Sequence, residues 1–174
     1  MKILVTGGLG FIGSHTVVEL QNEGFDVVII DDLSNSSLEV LEGITSISGI
    51  KPYFEELDLK IKSDVKSFFS KHSDVVGVIH FAASKAVGES VKEPLMYYEN
   101  NISTLVYVLQ EMTKLNRQNF IFSSSCTVYG QADELPITEN AQVKPAQSPY
   151  GNTKQIGEEI IQDTCKVNEK LNSI

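Results

Sequence analysis

No stretch of this sequence stays apolar for anything near the ~20 residues a membrane-spanning helix needs. The N-terminus, Met1-Lys2-Ile3-Leu4-Val5, enters a strand-like run at once and has neither the apolar core nor the small-residue cleavage site of a secretory signal. Cysteine is scarce: Cys126 and Cys165 stand far apart without metal-ligand spacing, and His15, His72 and His80 form no zinc pattern. No metal site is expected. Two lone thiols without an export signal point to the reducing cytoplasm. Positive charge is also short, with 14 Lys and Arg against 23 Asp and Glu, a net charge of −9 at pH 7. Such a surface repels phosphate backbones and anionic lipid, which argues against nucleic acid and membrane as partners, although a local site can still take a small anion. What remains is an ordinary globular composition, 41% hydrophobic and 21% charged over 174 residues, enough for one domain with a sizeable core.

Short apolar runs alternate with longer segments of helical period. The runs are Ile3-Leu4-Val5, Val27-Val28-Ile29-Ile30, Pro52-Tyr53-Phe54, Val75 to Phe81 and Phe120-Ile121-Phe122. Several are apolar throughout, as parallel strands buried on both faces are. The third, running into Glu55-Glu56, reads as lying nearer an edge. Helices are expected at His15 to Asn22, at Asp64 to His72, along Leu95 to Met112, and from Tyr150 to about Val167. The last is opened by Ser148 as N-cap and Pro149 at the first helical position. In the third, Leu95, Tyr98, Ile102, Leu105, Leu109 and Met112 recur at steps of three and four, a stripe wide enough to pack on the sheet. Asp133 to Gln147, with two prolines and few apolar residues, reads as a long surface loop. The alternation predicts an α/β fold, a Rossmann-type doubly wound parallel sheet flanked by helices.

Thr6-Gly7-Gly8-Leu9-Gly10-Phe11-Ile12-Gly13 follows the first strand and precedes a helix. It satisfies both G-x-G-x-x-G and G-x-x-G-x-x-G, in the strand–turn–helix context that a pyrophosphate site requires. Missing Cβ atoms let the backbone approach the anion, and the helix N-terminus offers it free N–H groups. A P-loop is excluded because Ser14 stands where its lysine belongs. The second strand ends at Asp31-Asp32, 24 positions after Gly7. A carboxylate there can accept both ribose hydroxyls of adenosine and repels a 2′-phosphate, which favours NAD over NADP. Asp58, closing the third strand, is within reach of the adenine amine.

Tyr150 and Lys154, four apart, share a face near the start of a helix. Positive charge from a lysine and from an oxidised nicotinamide stabilises a phenolate, and a phenolate is a base. Ser123-Ser124-Ser125 follow the fifth strand at its carboxyl end, where open parallel sheets bind ligands. A hydroxyl there can donate to a substrate oxygen and share in proton transfer. These residues alone do not say which serine faces the site.

Together, Thr6-Gly7-x-x-Gly10-x-x-Gly13 and the Ser/Tyr/Lys set resemble the extended short-chain dehydrogenase/reductase superfamily, and within it the UDP-glucose 4-epimerases. The stretches that carry the resemblance are Val5 to His15 (VTGGLGFIGSH), Asp32 to Ser36, Val78 to Val91 (VIHFAASKAVGESV), Tyr97 to Asn101, Asn119 to Gly130 (NFIFSSSCTVYG) and Ser148 to Gly151. Departures are small: Cys126 replaces a common alanine, and Ala83-Ser84 a frequent Gly-Leu pair. The resemblance implies that Phe11 and Ile12, with Gly7, Gly10 and Gly13, lie on the pyrophosphate of NAD. Asp31, with Asp32, Asn35 and Ser36, would hold the adenosine ribose, and Asp58 and Leu59 would flank the adenine. Phe81, Ala82, Lys85 and Asn100 would line the cofactor further along. Ser125 matches the family's catalytic serine, Tyr150 its base, and Lys154 its ribose-binding, charge-supplying lysine; Ser125 and Tyr150 would also touch the sugar.

The implied chemistry is epimerisation at C4 of a UDP-hexose, as in galactose metabolism. Tyr150 removes the 4′-hydroxyl proton with Ser125 in the relay. Hydride passes to NAD and returns to the other face of a transient 4-keto sugar. The alternatives are another nucleotide-sugar enzyme of the superfamily, a 4,6-dehydratase or decarboxylase, or a non-catalytic NAD-binding module. Against the dehydratase, no Asp-Glu pair follows the catalytic hydroxyl in Ser125-Cys126-Thr127. Family members carry a further C-terminal substrate domain, whereas this chain stops at Leu171-Asn172-Ser173-Ile174, where a sixth strand would begin. Residues 1–174 are therefore expected to be the NAD-binding domain, without the uridine-binding residues. The family's helix pairing further implies a homodimer.

Overall fold

The computed structural model describes residues 1–115 and 119–174. Six parallel strands, β1 (Lys2–Thr6), β2 (Asp26–Asp31), β3 (Tyr53–Glu56), β4 (Val75–His80), β5 (Asn119–Phe122) and β6 (Asn172–Ser173), form one sheet in the order β3-β2-β1-β4-β5-β6. All five expected runs are strands. The chain's last residues add a sixth, with Asn172 against Asn119 and Ser173 against Phe120. As expected, β3 lies at the edge, and Tyr53 is exposed there.

Among the described residues, six helices connect the strands: α1 (Phe11–Asn22), α2 (Glu39–Ser48), α3 (Lys62–Lys71), α4 (Val87–Lys92), α5 (Pro94–Lys114) and α6 (Pro149–Val167), with a 3-10 turn at Cys126–Tyr129. Helix α1 begins four residues before the expected His15, because the glycine turn runs straight into it. Helices α2 and α4 were not expected: α2 packs Val40, Leu41 and Ile44 on the second core, and the six-residue α4 buries Ser90. Helix α6 starts as expected, with the Ser148 hydroxyl accepting from the Gly151 amide at 3.1 Å and Pro149 in the first turn. Such a cap contributes about 1 kcal/mol.

The sheet carries two cores. On one face Leu4, Val28, Val78 and Phe120 pack with Val65, Phe68 and Phe69 of α3, Leu105, Val108 and Met112 of α5, and Ile161 of α6. On the other, Val5, Val27 and Ile29 pack with Val17 of α1 and Ile44 of α2. The row Phe54–Ile29–Val5–Ile79–Ile121, read across the strand registers, shows how far the second core reaches. Ile29 and Val5 are fully buried, but Ile121 is 43% exposed. The β2 run is buried on both faces as expected. At β5 that expectation fails, because α1 and α2 cover only the β1–β3 side of this face.

The expected stripe on α5 is also corrected. Leu105, Leu109 and Met112 are buried, whereas Leu95 is 82% exposed and Tyr98 and Ile102 are half-buried. The buried face of the helix's first half runs instead through Tyr97, Asn101 and Thr104. Hydrogen bonds of the Tyr97 hydroxyl and the Asn101 amide to neighbouring segments draw this face in, so the burial axis departs from the hydrophobic stripe. The Asp133–Gln147 segment contains no helix or strand. No helix among the described residues is long and apolar enough to cross a membrane.

Candidate functional site

From β1 the chain first runs outward through β2 and β3, then returns to the opposite side with β4 and β5. Such a reversal opens a crevice at the carboxyl ends of the strands. Here it is a groove of about 830 Å³. Every site residue expected from the sequence lines it.

The glycine turn forms one wall, and two of its glycines are required by backbone packing. Gly7 has φ +66°, and a Cβ there would lie 2.8 Å from the Ala82 amide nitrogen. A Cβ on Gly13 would lie 2.3 Å from the Gly7 carbonyl oxygen. The turn, the first helical turn and the loop after β4 are therefore pressed together in a way no side chain permits. Gly10 is the N-cap of α1, and no side chain caps the helix. Its first amides are left for a ligand, as an anion site requires. Phe11 and Ile12 lie beside them, 76% and 60% exposed.

At the tip of β2, Asp31 is buried and its carboxylate is anchored from two directions. Oδ2 accepts from the Leu9 amide at 3.0 Å, and Oδ1 accepts from the Leu33 amide at 3.1 Å and the Ser36 hydroxyl at 2.7 Å. Leu33 is held at φ +58°, a strained value for a branched residue, so the loop carrying Asn35 and Ser36 has a fixed path. Asp32 differs from its neighbour: it is exposed and accepts from the Ser34 amide and hydroxyl. Asp58 is half-buried and accepts from the Lys60 amide at 2.9 Å, with Leu59 buried beside it.

The opposite wall holds Phe81, Ala82, Lys85 and Asn100. Asn101, next to Asn100, fixes this wall to α6. Its Oδ1 accepts from the Ser84 amide at 2.8 Å and from Asn100 Nδ2 at 3.0 Å, and its Nδ2 donates to the Ser84 carbonyl and to the Thr153 hydroxyl at 3.0 Å. Tyr97 adds a second tie: its hydroxyl accepts from the Ala86 amide at 2.9 Å and donates to Glu89 at 2.6 Å. Burial raises the Tyr97 phenol to about 12, so it stays a donor.

At the floor, α6 presents Tyr150 and Lys154. The Tyr150 ring stands edge-on to Tyr97 at 6.5 Å. Lys154 is 4% exposed and donates to the Ser123 carbonyl at 2.7 Å, with its ammonium 4.7 Å from the Phe122 ring centroid and 6.0 Å from that of Tyr150. Burial lowers its pKa to about 8, against the opposing charge of Glu158. Ser125 opens the 3-10 turn, its hydroxyl accepting from the Thr127 amide at 3.3 Å and hydroxyl at 3.0 Å. The sequence left the three serines equivalent. The structure gives them different partners: Ser123 offers its carbonyl to Lys154, Ser124 its hydroxyl to Glu158, and Ser125 caps the turn.

A family model described as the NAD dependent epimerase/dehydratase family matches residues 3–173. The chain belongs to that family. Among curated relatives of this epimerase/dehydratase chain, the UDP-glucose 4-epimerase of Haemophilus influenzae is 47% identical over 171 residues, 98% of this chain and 50% of the relative. That of Bacillus subtilis is 47% identical over 163 residues, 94% of this chain and 48% of the relative. The chain spans about half the length of the curated relatives it matches. Among solved structures, UDP-glucose 4-epimerase from Bifidobacterium longum in complex with NAD+ and UDP superposes with a TM-score of 0.96 at 40% identity, covering 99% of this chain and 51% of that one. The enzyme from Stenotrophomonas maltophila, with bound NAD and formylated UDP-arabinopyranose, gives 0.93 at 42% identity, covering 99% of this chain and 51% of that one.

Several residues of this family member's groove were given no site role by sequence, among them Ser34, Lys60, Ser84, Glu89 and Met96. Asn101 and Glu158 stand behind it as supports. A signal for Glu158 was present, since it lies four residues beyond Lys154 on the same helix. Nothing in the local pattern distinguishes Asn101 from Asn100.

Proposed function

We propose that residues 1–174 are the NAD-binding Rossmann domain of a UDP-hexose 4-epimerase, interconverting UDP-glucose and UDP-galactose in galactose metabolism. One observation carries this reading: Ser125, Tyr150 and Lys154 open onto the same groove as the glycine turn and Asp31. A dinucleotide fits that groove on two grounds. The uncapped start of α1 offers amides to a pyrophosphate, and the Asp31 carboxylate at the tip of β2, with Ser36 bonded to it, suits the hydroxyls of a ribose. Asp58 and Leu59 would flank the adenine, and Phe81, Ala82, Lys85 and Asn100 the other end. An acid at the ribose favours NAD over NADP.

Bound NAD supplies an acceptor and donor of hydride at the sugar's C4. Tyr150 takes the proton from the 4′-hydroxyl and returns it, while Ser125 donates to the same oxygen and orients it. Lys154 supports the phenolate with its charge and binds ribose hydroxyls. With no net redox change, the cofactor need not leave.

The chain is further proposed to act in the cytoplasm and to form a homodimer through α5 and α6, whose paired helices would cover the exposed Leu95 and the half-buried Ile102. Calorimetric titration of the chain with NAD and NADP tests the cofactor assignment, and binding of neither would overturn it. Turnover of UDP-galactose by a chain of the relatives' length tests the reaction. A folded chain that sediments only as a monomer at high concentration would remove the dimer.

A further inference from the structure

Glu158 lies one turn beyond Lys154 on α6, on the same face of the helix. Its carboxylate accepts a hydrogen bond from the Ser124 hydroxyl. Ser124 sits between Ser123, whose carbonyl takes the Lys154 ammonium at 2.7 Å, and Ser125, which caps the 3-10 turn. Two successive residues of the loop after β5 are thus held from α6 by two side chains one turn apart.

The ammonium is buried, and three elements around it contribute facing groups. Helix α6 supplies the Tyr150 ring and Glu158, β5 the Phe122 ring, and β4 His80. Burial holds the His80 imidazole down to about 3, so it is neutral near pH 7. The aromatic rings carry no net charge. Glu158, half-buried one turn along the same helix face, is therefore the negative partner within this set, acting through space rather than by a direct ion pair.

We infer that Glu158 is a positioning residue of the Ser/Tyr/Lys centre: its carboxylate fastens the serine loop to α6 through Ser124 and stands as the counter-charge to the Lys154 ammonium. The importance of these two tasks rests on the proposed reading of Tyr150 and Lys154 as the working pair. They place Ser125 and keep a cation beside Tyr150. Burial brings Lys154 down to about 8 with the opposing charge of Glu158 in place, and there roughly nine in ten are protonated at pH 7. Without Glu158 the charged fraction at pH 7 would fall.

The test uses the 174-residue chain without cofactor or sugar. The Lys154 side-chain resonance is followed against pH by NMR of lysine-labelled protein, with Lys154→Met assigning the signal. Glu158→Gln keeps an acceptor for Ser124 but removes the charge. It should shift the Lys154 titration to lower pH while the Ser123–Thr127 amide signals stay in place. Glu158→Met removes both, and should move the titration and those amides together. Glu158→Asp, which restores the charge one carbon back, should recover much of the Lys154 shift. Amide spectra away from the site show that each variant is folded; if the glutamine variant is not, the methionine variant carries the same titration test. An unchanged Lys154 titration in the charge-removing variants would overturn the counter-charge role. Unmoved Ser123–Thr127 amides in Glu158→Met would overturn the loop tie. NAD binding is measured separately, so a chain that binds no NAD yet shows both effects would sink the proposed function and leave this assignment standing.

Discussion

The Leu9 amide donates to Oδ2 of Asp31 at 3.0 Å, so the glycine turn after β1 and the acid closing β2 are one unit. The other oxygen of the same carboxylate receives Leu33 and Ser36. The acid proposed to select the cofactor also fixes the shape of the phosphate-binding turn.

Asp31→Ala should therefore weaken NAD binding and narrow the preference over NADP. Loss of a charge-assisted hydrogen bond costs about 1.5–3 kcal/mol, roughly 10- to 150-fold in affinity. Titration calorimetry with both cofactors checks this. A wild-type chain that binds NADP as tightly as NAD would remove Asp31 from its assigned role.

Two glycine substitutions should move stability in opposite directions. In Gly13→Ala the new Cβ would meet the Gly7 carbonyl at 2.3 Å and Gly8 Cα at 2.8 Å, both backbone, so a loss of about 1–3 kcal/mol or more is expected. In Gly43→Ala, within α2, nothing lies within 4 Å, and better helix propensity should add about 0.5–1 kcal/mol. Urea unfolding of the two variants measures both; a tolerated Gly13→Ala would mean that the turn and helix can separate.

His80 makes stability acid-sensitive. It is 1% exposed, and its Nδ1 lies 2.8 Å from the Thr6 hydroxyl, which accepts from the Ala82 amide at 3.4 Å. Burial lowers the imidazole from 6.5 to about 3, so between those values the unfolded chain binds a proton that the folded chain does not. Stability present above pH 6.5 is therefore lost as pH falls through that window. Between pH 6.5 and 5 the wild type should lose about 1.5 kcal/mol more than His80→Asn, which can still accept from Thr6. Parallel stability–pH curves for the two proteins would show that the imidazole does not stay neutral.

In a chain of the relatives' length, Tyr150→Phe should keep NAD binding while turnover of UDP-galactose drops by at least about 10²–10⁴-fold, the usual contribution of an acid–base group. Lys154→Met should impair both binding and turnover, because it removes a ribose contact and the charge beside the phenol. Ser125→Ala should be milder than Tyr150→Phe, since the serine orients the oxygen without carrying the anion. Near-normal turnover in Tyr150→Phe would exclude it as the base.

The strand runs, the glycine turn, the acid 24 positions after Gly7 and the Ser148-Pro149 start of α6 were legible in the sequence because each is a local pattern. A run, a turn or a cap depends on residues a few positions apart, and its physics is complete within that span. The fold class followed from their alternation. Helix α2 carries an apolar face, Val40, Leu41 and Ile44, that the sequence reading passed over, whereas the six-residue α4 buries one residue and is too short to show a period. The α5 stripe misled at Leu95 because Tyr97 and Asn101 are drawn in by hydrogen-bond partners on neighbouring segments rather than by the stripe's hydrophobicity. Ile121 is as apolar as Ile29, yet 43% exposed, since how many helices cover a strand is a property of the whole sheet. The different tasks of Ser123, Ser124 and Ser125 were decided in the same way, by Lys154 and Glu158 reaching across from a helix some thirty positions later. Contacts of that span are chosen by the packing of α6 on β5, which no window of the sequence contains.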